Sequence, residues 1–187
     1  MRKIVLYPAE ILRKNTEEIK NVDKKLLLEI KDLKKILKDG DNAAGLAGPQ
    51  IGLNRRFFGS KEIGQGNVLV FINPKIEKFY GEKVYPKLVD GKGNEEDFLE
   101  GCLSFPNFFG TVKRFLKIEV SWQEIEKEEL VLKKKTLVGF EAIVWQHESD
   151  HLDGVVFIDH IRRDGGKFFK DIGGGKMEKC DLEKTFE

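Results

Sequence analysis

The pentapeptide His147-Glu148-Ser149-Asp150-His151 constrains this chain more than any other feature. Residues four apart share one face of an α-helix, so two imidazoles at that spacing can grip one metal ion from the same side. The pattern therefore requires a helix here and a fold that encloses one flank of it. The neighbouring residues agree. Phe140, Ile143, Val144, His147 and His151 follow an i, i+3, i+4, i+7, i+11 stripe, which predicts a helix from about Phe140 to Leu152 with Gly154 as a stop. Glu148 points off the ligand axis yet can reach a water beside the metal, as general base and then general acid. Two of the three histidines of the chain lie in this pentapeptide; the third, His160, sits among Asp159 and Arg162 and reads as a surface residue.

The remainder supplies a scaffold. Leu26, Ile30, Leu33 and Leu37 predict an N-terminal helix over Asp23 to Gly40, with Asp23 as its cap. Asn42 to Gly52, with three glycines and a proline, reads as a loop. Val68 to Ile72 is a short buried strand closed by Asn73-Pro74. Leu116, Ile118, Val120 and Trp122 alternate with polar residues as in a half-buried strand, and Leu130-Val131-Leu132 returns beside it after a charged turn at Glu126-Lys127. Strands in the middle with helices near each end give an α+β fold. Residues 1–164 read as one catalytic domain, and 165–187 as a polar, glycine-containing C-terminal tail that packs loosely.

Composition excludes several roles. With 33 Lys and Arg against 32 Asp and Glu, the formal charge is +1, without the basic excess of a nucleic-acid binder. No stretch approaches the roughly 20 apolar residues that span a bilayer, and the apolar run at Ile4-Val5-Leu6 is too short for a signal peptide. Two cysteines, Cys102 and Cys180, do not make a disulfide framework, which fits a reducing compartment.

Two histidines leave a metal short of ligands. Metalloproteases with this pentapeptide find a third ligand downstream, but His160 lies nine residues on, and Glu178 and Glu183 fall in the glycine-rich tail. Cys102, in Glu100-Gly101-Cys102-Leu103-Ser104, is another candidate, since a thiolate binds zinc or ferrous iron strongly and Gly101 lets the backbone approach closely. Taken alone, a free cysteine is more often a small buried apolar residue.

Three motifs together resemble the peptide deformylases. Glu100-Gly101-Cys102-Leu103-Ser104 and Gln146-His147-Glu148-Ser149-Asp150-His151 match that family's motifs without a change. Ala43-Ala44-Gly45-Leu46-Ala47-Gly48-Pro49-Gln50 is similar to its third, with Ala43 where glycine is usual and Gly48 where alanine is usual, swaps expected to alter the freedom of the loop. Phe57-Phe58 also gives way quickly to Gly59-Ser60-Lys61, where the family has a clean apolar run. The resemblance, over about residues 3 to 160, implies short antiparallel sheets packed around a central metal-binding helix, with an N-terminal helix.

It also implies a function: removal of the N-terminal formyl group from formyl-methionyl nascent polypeptides. Cys102, His147 and His151 would hold one divalent metal, Fe2+ in the cell, with Zn2+, Ni2+ or Co2+ in purified protein. Glu148 would be the base, with the Gln50 amide and the Leu103 backbone N–H as oxyanion donors. Ala44, Gly45, Glu100 and Gly101 would contact the peptide, and Ile143 and Val144 the methionine side chain. Gln146 and Asp150 would be supporting polar groups, Asp150 pairing with a buried arginine or orienting a ligand. The partners implied are formyl-Met nascent peptides and the ribosome, with no sequence-specific nucleic acid and no membrane. The location would be cytoplasmic, bacterial or phage, or an organellar stroma or matrix after removal of a transit peptide. Two other readings share these residues: a peptidase cutting internal bonds, which would keep its metal in a Cys102→Ala variant, and a catalytically silent binding protein.

Overall fold

The structure is a computed structural model that describes residues 2–40, 43–62, 66–89 and 92–186. In chain order the first helix, α1, covers Lys24–Asp39, and the Asp23 carboxylate accepts the Leu26 N–H at 2.6 Å as its cap. Then come β1 (Gly45–Ala47), β2 (Phe57–Lys61), β3 (Val68–Tyr80), β4 (Lys87–Val89), β5 (Glu95–Asp97), β6 (Glu100–Cys102) and β7 (Phe105–Gly110). The long hairpin β8 (Lys117–Glu126) and β9 (Glu129–Val138) leads into helix α2 (Gly139–Leu152) and helix α3 (Phe157–Asp164). Strands β10 (Phe168–Asp171) and β11 (Met177–Lys179) and a short helix, α4 (Leu182–Thr185), follow.

Strands β1, β2, β3, β8 and β9 form, in that order, a five-stranded antiparallel sheet. Side chains alternate across a strand, so adjacent apolar residues go to opposite faces. Phe57 and Ile72 join Leu26, Leu33 and Leu37 of α1 on one side, while Phe58 and Phe71 join Ala142, Trp145 and Leu152 of α2 on the other. Helix α2 is thus covered by the large sheet on one flank and meets the smaller sheet, ordered β11-β10-β7-β6, on the other. These are the short antiparallel sheets around a central helix that the sequence led us to expect, in an α+β arrangement.

Local departures from the sequence reading have physical causes. Strand β3 does not end at Asn73-Pro74. Asn73 takes a left-handed conformation (φ 48°) at a register shift between Ile72 and Lys75, and its amide bonds both backbone groups of Ile19 and the Gln123 side chain. That bulge accommodates the proline, and the strand runs on to Tyr80. Asn42, where the expected loop begins, lies outside the described residues; from Gly45 onward the segment is strand β1 and a 3-10 turn rather than a loop. The strand after it continues through Gly59-Ser60-Lys61, with Gly59 against Leu33 of α1. Leu116 is exposed and lies just before β8. The β8–β9 turn falls on Lys127-Glu128, both left-handed (φ 48° and 68°), which suits the twist of a two-residue hairpin.

The segment beyond Asp164 is not loosely packed. Strand β10 pairs with β7, Phe168 and Leu182 are buried, and Phe186 sits edge-on to Tyr7 at 5.4 Å and to Phe105 at 5.6 Å. Three apolar residues so far apart carry no periodicity, which is why the composition of this segment concealed its anchoring.

Gly48 has a steric cause of its own. It is absent from the left-handed glycines, so conformational freedom is not its role, contrary to the sequence reading. A Cβ there would stand 2.6 Å from the Arg55 carbonyl oxygen, and the Gly48 carbonyl accepts the Leu53 N–H at 3.0 Å. Gly48→Ala is therefore expected to destabilise the chain by about 1–3 kcal/mol, as overpacking usually does. The midpoint of denaturant unfolding measures it; an unchanged midpoint would show that the turn shifts freely.

Candidate metal and catalytic site

The spacing on α2 sets His147 and His151 side by side, ring centroids 5.0 Å apart. Strand β6 brings Cys102 to them, with Sγ 3.3 Å from His151 Nε2. One donor atom from each of Cys102, His147 and His151 lies within 4.8 Å of the others. His147 Nδ1 donates to the Glu100 carboxylate at 2.9 Å, which leaves Nε2 as its free donor atom. Burial pushes the Cys102 thiol up, and the two imidazoles outweigh it, bringing it down to about 5. A thiolate and two imidazoles suit one divalent transition metal, and this set fits it, with the buried Glu148 Oε2 unpartnered among the same side chains.

Glu148 is 3% exposed, and desolvation raises it to about 7 against the opposite pull of His147 and His151. Gly45 makes room for it: a Cβ at position 45 would collide with the Glu148 carboxylate. Gln50 sits in the 3-10 turn Gly48–Ile51, where its Oε1 accepts the Ala47 N–H at 2.8 Å. That bond fixes the amide, so Nε2 is directed at Cys102 Sγ and Ser104 Oγ, each at 3.4 Å.

A cavity of about 490 Å³ opens beside these groups, and Ala44, Gly45, Gly101, Leu103, Ile143 and Val144 all line it. The expected apolar stripe of α2 needs correcting: Phe140 is exposed and Val144 half-buried on the cavity side, whereas Ala142, Trp145, Gln146 and Ser149 form the buried side. Gly101 faces Phe109, whose ring lies 2.6 Å from where a Cβ would be, so it serves strand packing as well as approach to the metal.

Glu100 also departs from its expected role. It lines the cavity, but its carboxylate is buried and fully engaged, taking Nε and Nη2 of Arg114 at 2.7 and 2.9 Å besides His147 Nδ1, so that its side chain positions His147. Arg114, 2% exposed, reaches onward with Nη1 to Asp150 Oδ2 at 2.6 Å. His160 is no surface residue: α3 buries it to 6% exposure, with Nε2 2.7 Å from the same Asp150 oxygen. Gln146 holds both backbone groups of Phe115, next to Arg114. Sequence reasoning anticipated an arginine for Asp150 without identifying Arg114, which beside Lys113 gives no sign of burial.

Two expectations follow from this network. Arg114→Met leaves the buried Glu100 and the half-buried Asp150 without their cation, which should cost about 3–5 kcal/mol; calorimetric or denaturant unfolding would show it, and a loss below about 1 kcal/mol would contradict the network. The second concerns acid. Burial pushes Glu100 up, yet Arg114 and His147 hold it at about 2 against an ordinary 4.5. A carboxylate lowered on folding contributes stability above its unfolded pKa and loses it as pH falls through the folded one. Unfolding free energy should therefore decline from about pH 5 toward pH 2, and the Glu100→Gln variant should show a shallower decline.

The chain's relatives agree with this geometry. Residues 1–166 match the family model described as Polypeptide deformylase. A peptide deformylase of Aquifex aeolicus is 37% identical over 166 residues, covering 87% of this chain and 88% of that one. One from Caldicellulosiruptor bescii is 33% identical over 183 residues, 98% and 99% of the two chains. The crystal structure of peptide deformylase from Thermotoga maritima superposes with a TM-score of 0.71 at 32% identity, covering 86% of this chain and 97% of that one. This chain thus belongs to the polypeptide deformylase family, metal-dependent hydrolases that remove the N-terminal formyl group from nascent peptides.

Proposed function

We propose that Cys102, His147 and His151 hold one divalent cation, ferrous iron in the cell, and that the surrounding residues carry out deformylation of formyl-methionyl peptides there. The observation behind this is the convergence of those three donors beside the unpartnered buried oxygen of Glu148. The cation supplies Lewis acidity, acidifying water and polarising a carbonyl oxygen. Glu148 takes a proton from the attacking water and returns it to the departing amine; a carboxylate raised to about 7 can do both near neutral pH. The Gln50 Nε2, held by the Ala47 bond, donates to the oxyanion formed at the formyl carbon, together with the Leu103 N–H.

Strand β1 is an edge of its sheet, so its outer side can pair with an extended peptide across Ala44 and Gly45. Ile143 and Val144 wall the cavity for the methionine side chain, beside the edge-to-face pair Phe98 and Phe140 at 6.0 Å. Ferrous iron suits one thiolate and two imidazoles, as zinc, nickel and cobalt do, and the family resemblance favours iron. The same reading puts the enzyme in a cytoplasmic or organellar-matrix compartment, near the ribosome that supplies its substrate. No helix among the described residues is long and apolar enough to cross a membrane.

The test is Glu148→Gln in protein prepared without oxygen. Elemental content should stay at one iron per chain, while formate release from a formyl-Met tripeptide falls by about 10²- to 10⁴-fold. Turnover near the wild-type rate would remove Glu148 from the chemistry, and a metal other than iron would overturn that assignment.

A further inference from the structure

A second cavity, of about 130 Å³, lies where the first turn of α2 crosses the open face of the large sheet. Its floor is aromatic, with Phe58, Phe71, Trp122 and Trp145, and its outer rim carries Ser60, Leu69, Glu124 and Lys135. Ala44, Phe140 and Val144 line this cavity and the substrate cavity alike, so they form the partition between the two. Ala44 contributes the smallest side chain of the three, a methyl group. Phe140 is 43% exposed and stands in the first turn of α2, where Val138 provides no side-chain cap. The three side chains shared by the two cavities are all apolar, so they present no electrostatic barrier to an apolar chain.

We propose that the two cavities act as one elongated specificity pocket, in which a first-residue side chain longer than methionine passes Ala44 and ends against Trp122 and Trp145. This rests on the deformylase reading above and extends it to the substrate's side chain. A cavity of about 130 Å³ is well above the roughly 10–15 Å³ needed to hold one water, so it adds room for several methylenes beyond the first cavity. Each methylene buried is worth roughly fourfold in binding. The preferred ligands are therefore peptides whose first residue has an unbranched apolar side chain some way beyond methionine in length. Ser60, on the far rim, makes the site selectively closable: a large residue there would fill the second cavity from the sheet side and leave the groups around Cys102 untouched.

The experiment has a kinetic arm and an optical arm. In the first, iron-loaded wild type and Ser60→Phe are compared on formyl peptides whose first side chain lengthens from methionine to linear chains of six to eight carbons. In wild type, kcat/KM for the longest chains should equal or exceed that for formyl-Met. Ser60→Phe should cut the long substrates at least tenfold while formyl-Met stays within about twofold. In the second arm, deformylated peptides with a terminal bromine on the side chain are titrated into the wild type. Trp122 and Trp145 are the chain's only tryptophans, so contact with the second cavity should quench intrinsic fluorescence for long chains and not for one of methionine length. Formyl-Met turnover with poor long-chain turnover, a ratio unmoved by Ser60→Phe and no length-dependent quenching would overturn the elongated pocket and leave the deformylase reading standing. Absence of formyl-Met turnover in the same iron-loaded protein would overturn that reading, while length-dependent quenching would still uphold the joined cavities.

Discussion

The buried guanidinium of Arg114 is the interaction on which the site depends. It forms a two-point bond with Glu100 at the start of β6 and a further bond with Asp150 on α2, and His160 of α3 shares the same Asp150 oxygen. One cation thereby fixes three separate pieces of chain, including the strand that carries Cys102 and the helix that carries both histidines. Glu100 passes this on directly, because the carboxylate that holds Arg114 also accepts the His147 Nδ1–H. Burial penalises every charge in this cluster, and only their mutual pairing makes it tolerable. A ligand set assembled from distant segments is kept in place by ionic contacts behind it, supported by ordinary core packing.

Close approach made possible by missing side chains is the second recurring device. Gly45 leaves space for the Glu148 carboxylate, Gly48 for the Arg55 carbonyl, and Gly101 for the Phe109 ring. None of the three is among the left-handed glycines. Around the site, glycine is used for proximity: Gly45 lets a strand edge press against α2, and Gly48 and Gly101 let a turn and a hairpin close tightly on themselves. The paired phenylalanines of β2 do the complementary work. They send one ring to each face of the sheet, so that α1 and α2 are held by consecutive residues.

What the sequence made legible was local or tied to a motif. The α2 helix, the cap of α1, the β8–β9 hairpin and the three donors near the metal could all be read from spacing or from three short motifs. What it concealed was long-range. Arg114 meets its two carboxylates across 14 and 36 residues, and no periodicity encodes such a pairing. His160 looked solvated because its sequence neighbours are charged, whereas its spatial neighbour is Asp150. Glu100 lay inside a motif and was assigned to the peptide; only its partners show that it serves His147. The bulge at Asn73 was hidden because a proline ordinarily closes a strand, and here a single left-handed asparagine lets the strand resume.

The aromatic cluster beneath the small sheet has a consequence for the order in which the molecule can assemble. Tyr7, Phe105, Phe168 and Phe186 meet there, so one cluster joins the early, middle and last parts of the described chain. The five-stranded sheet, α2, Cys102 and both histidines all precede residue 153. During synthesis from the N-terminus they precede β10, whose pairing backs the strand beside Cys102. Contacts of such long sequence separation are slow to close. Vectorial synthesis therefore delivers the complete ligand set before the last cover over the small sheet, leaving an interval in which a metal ion could be captured by a partly closed site.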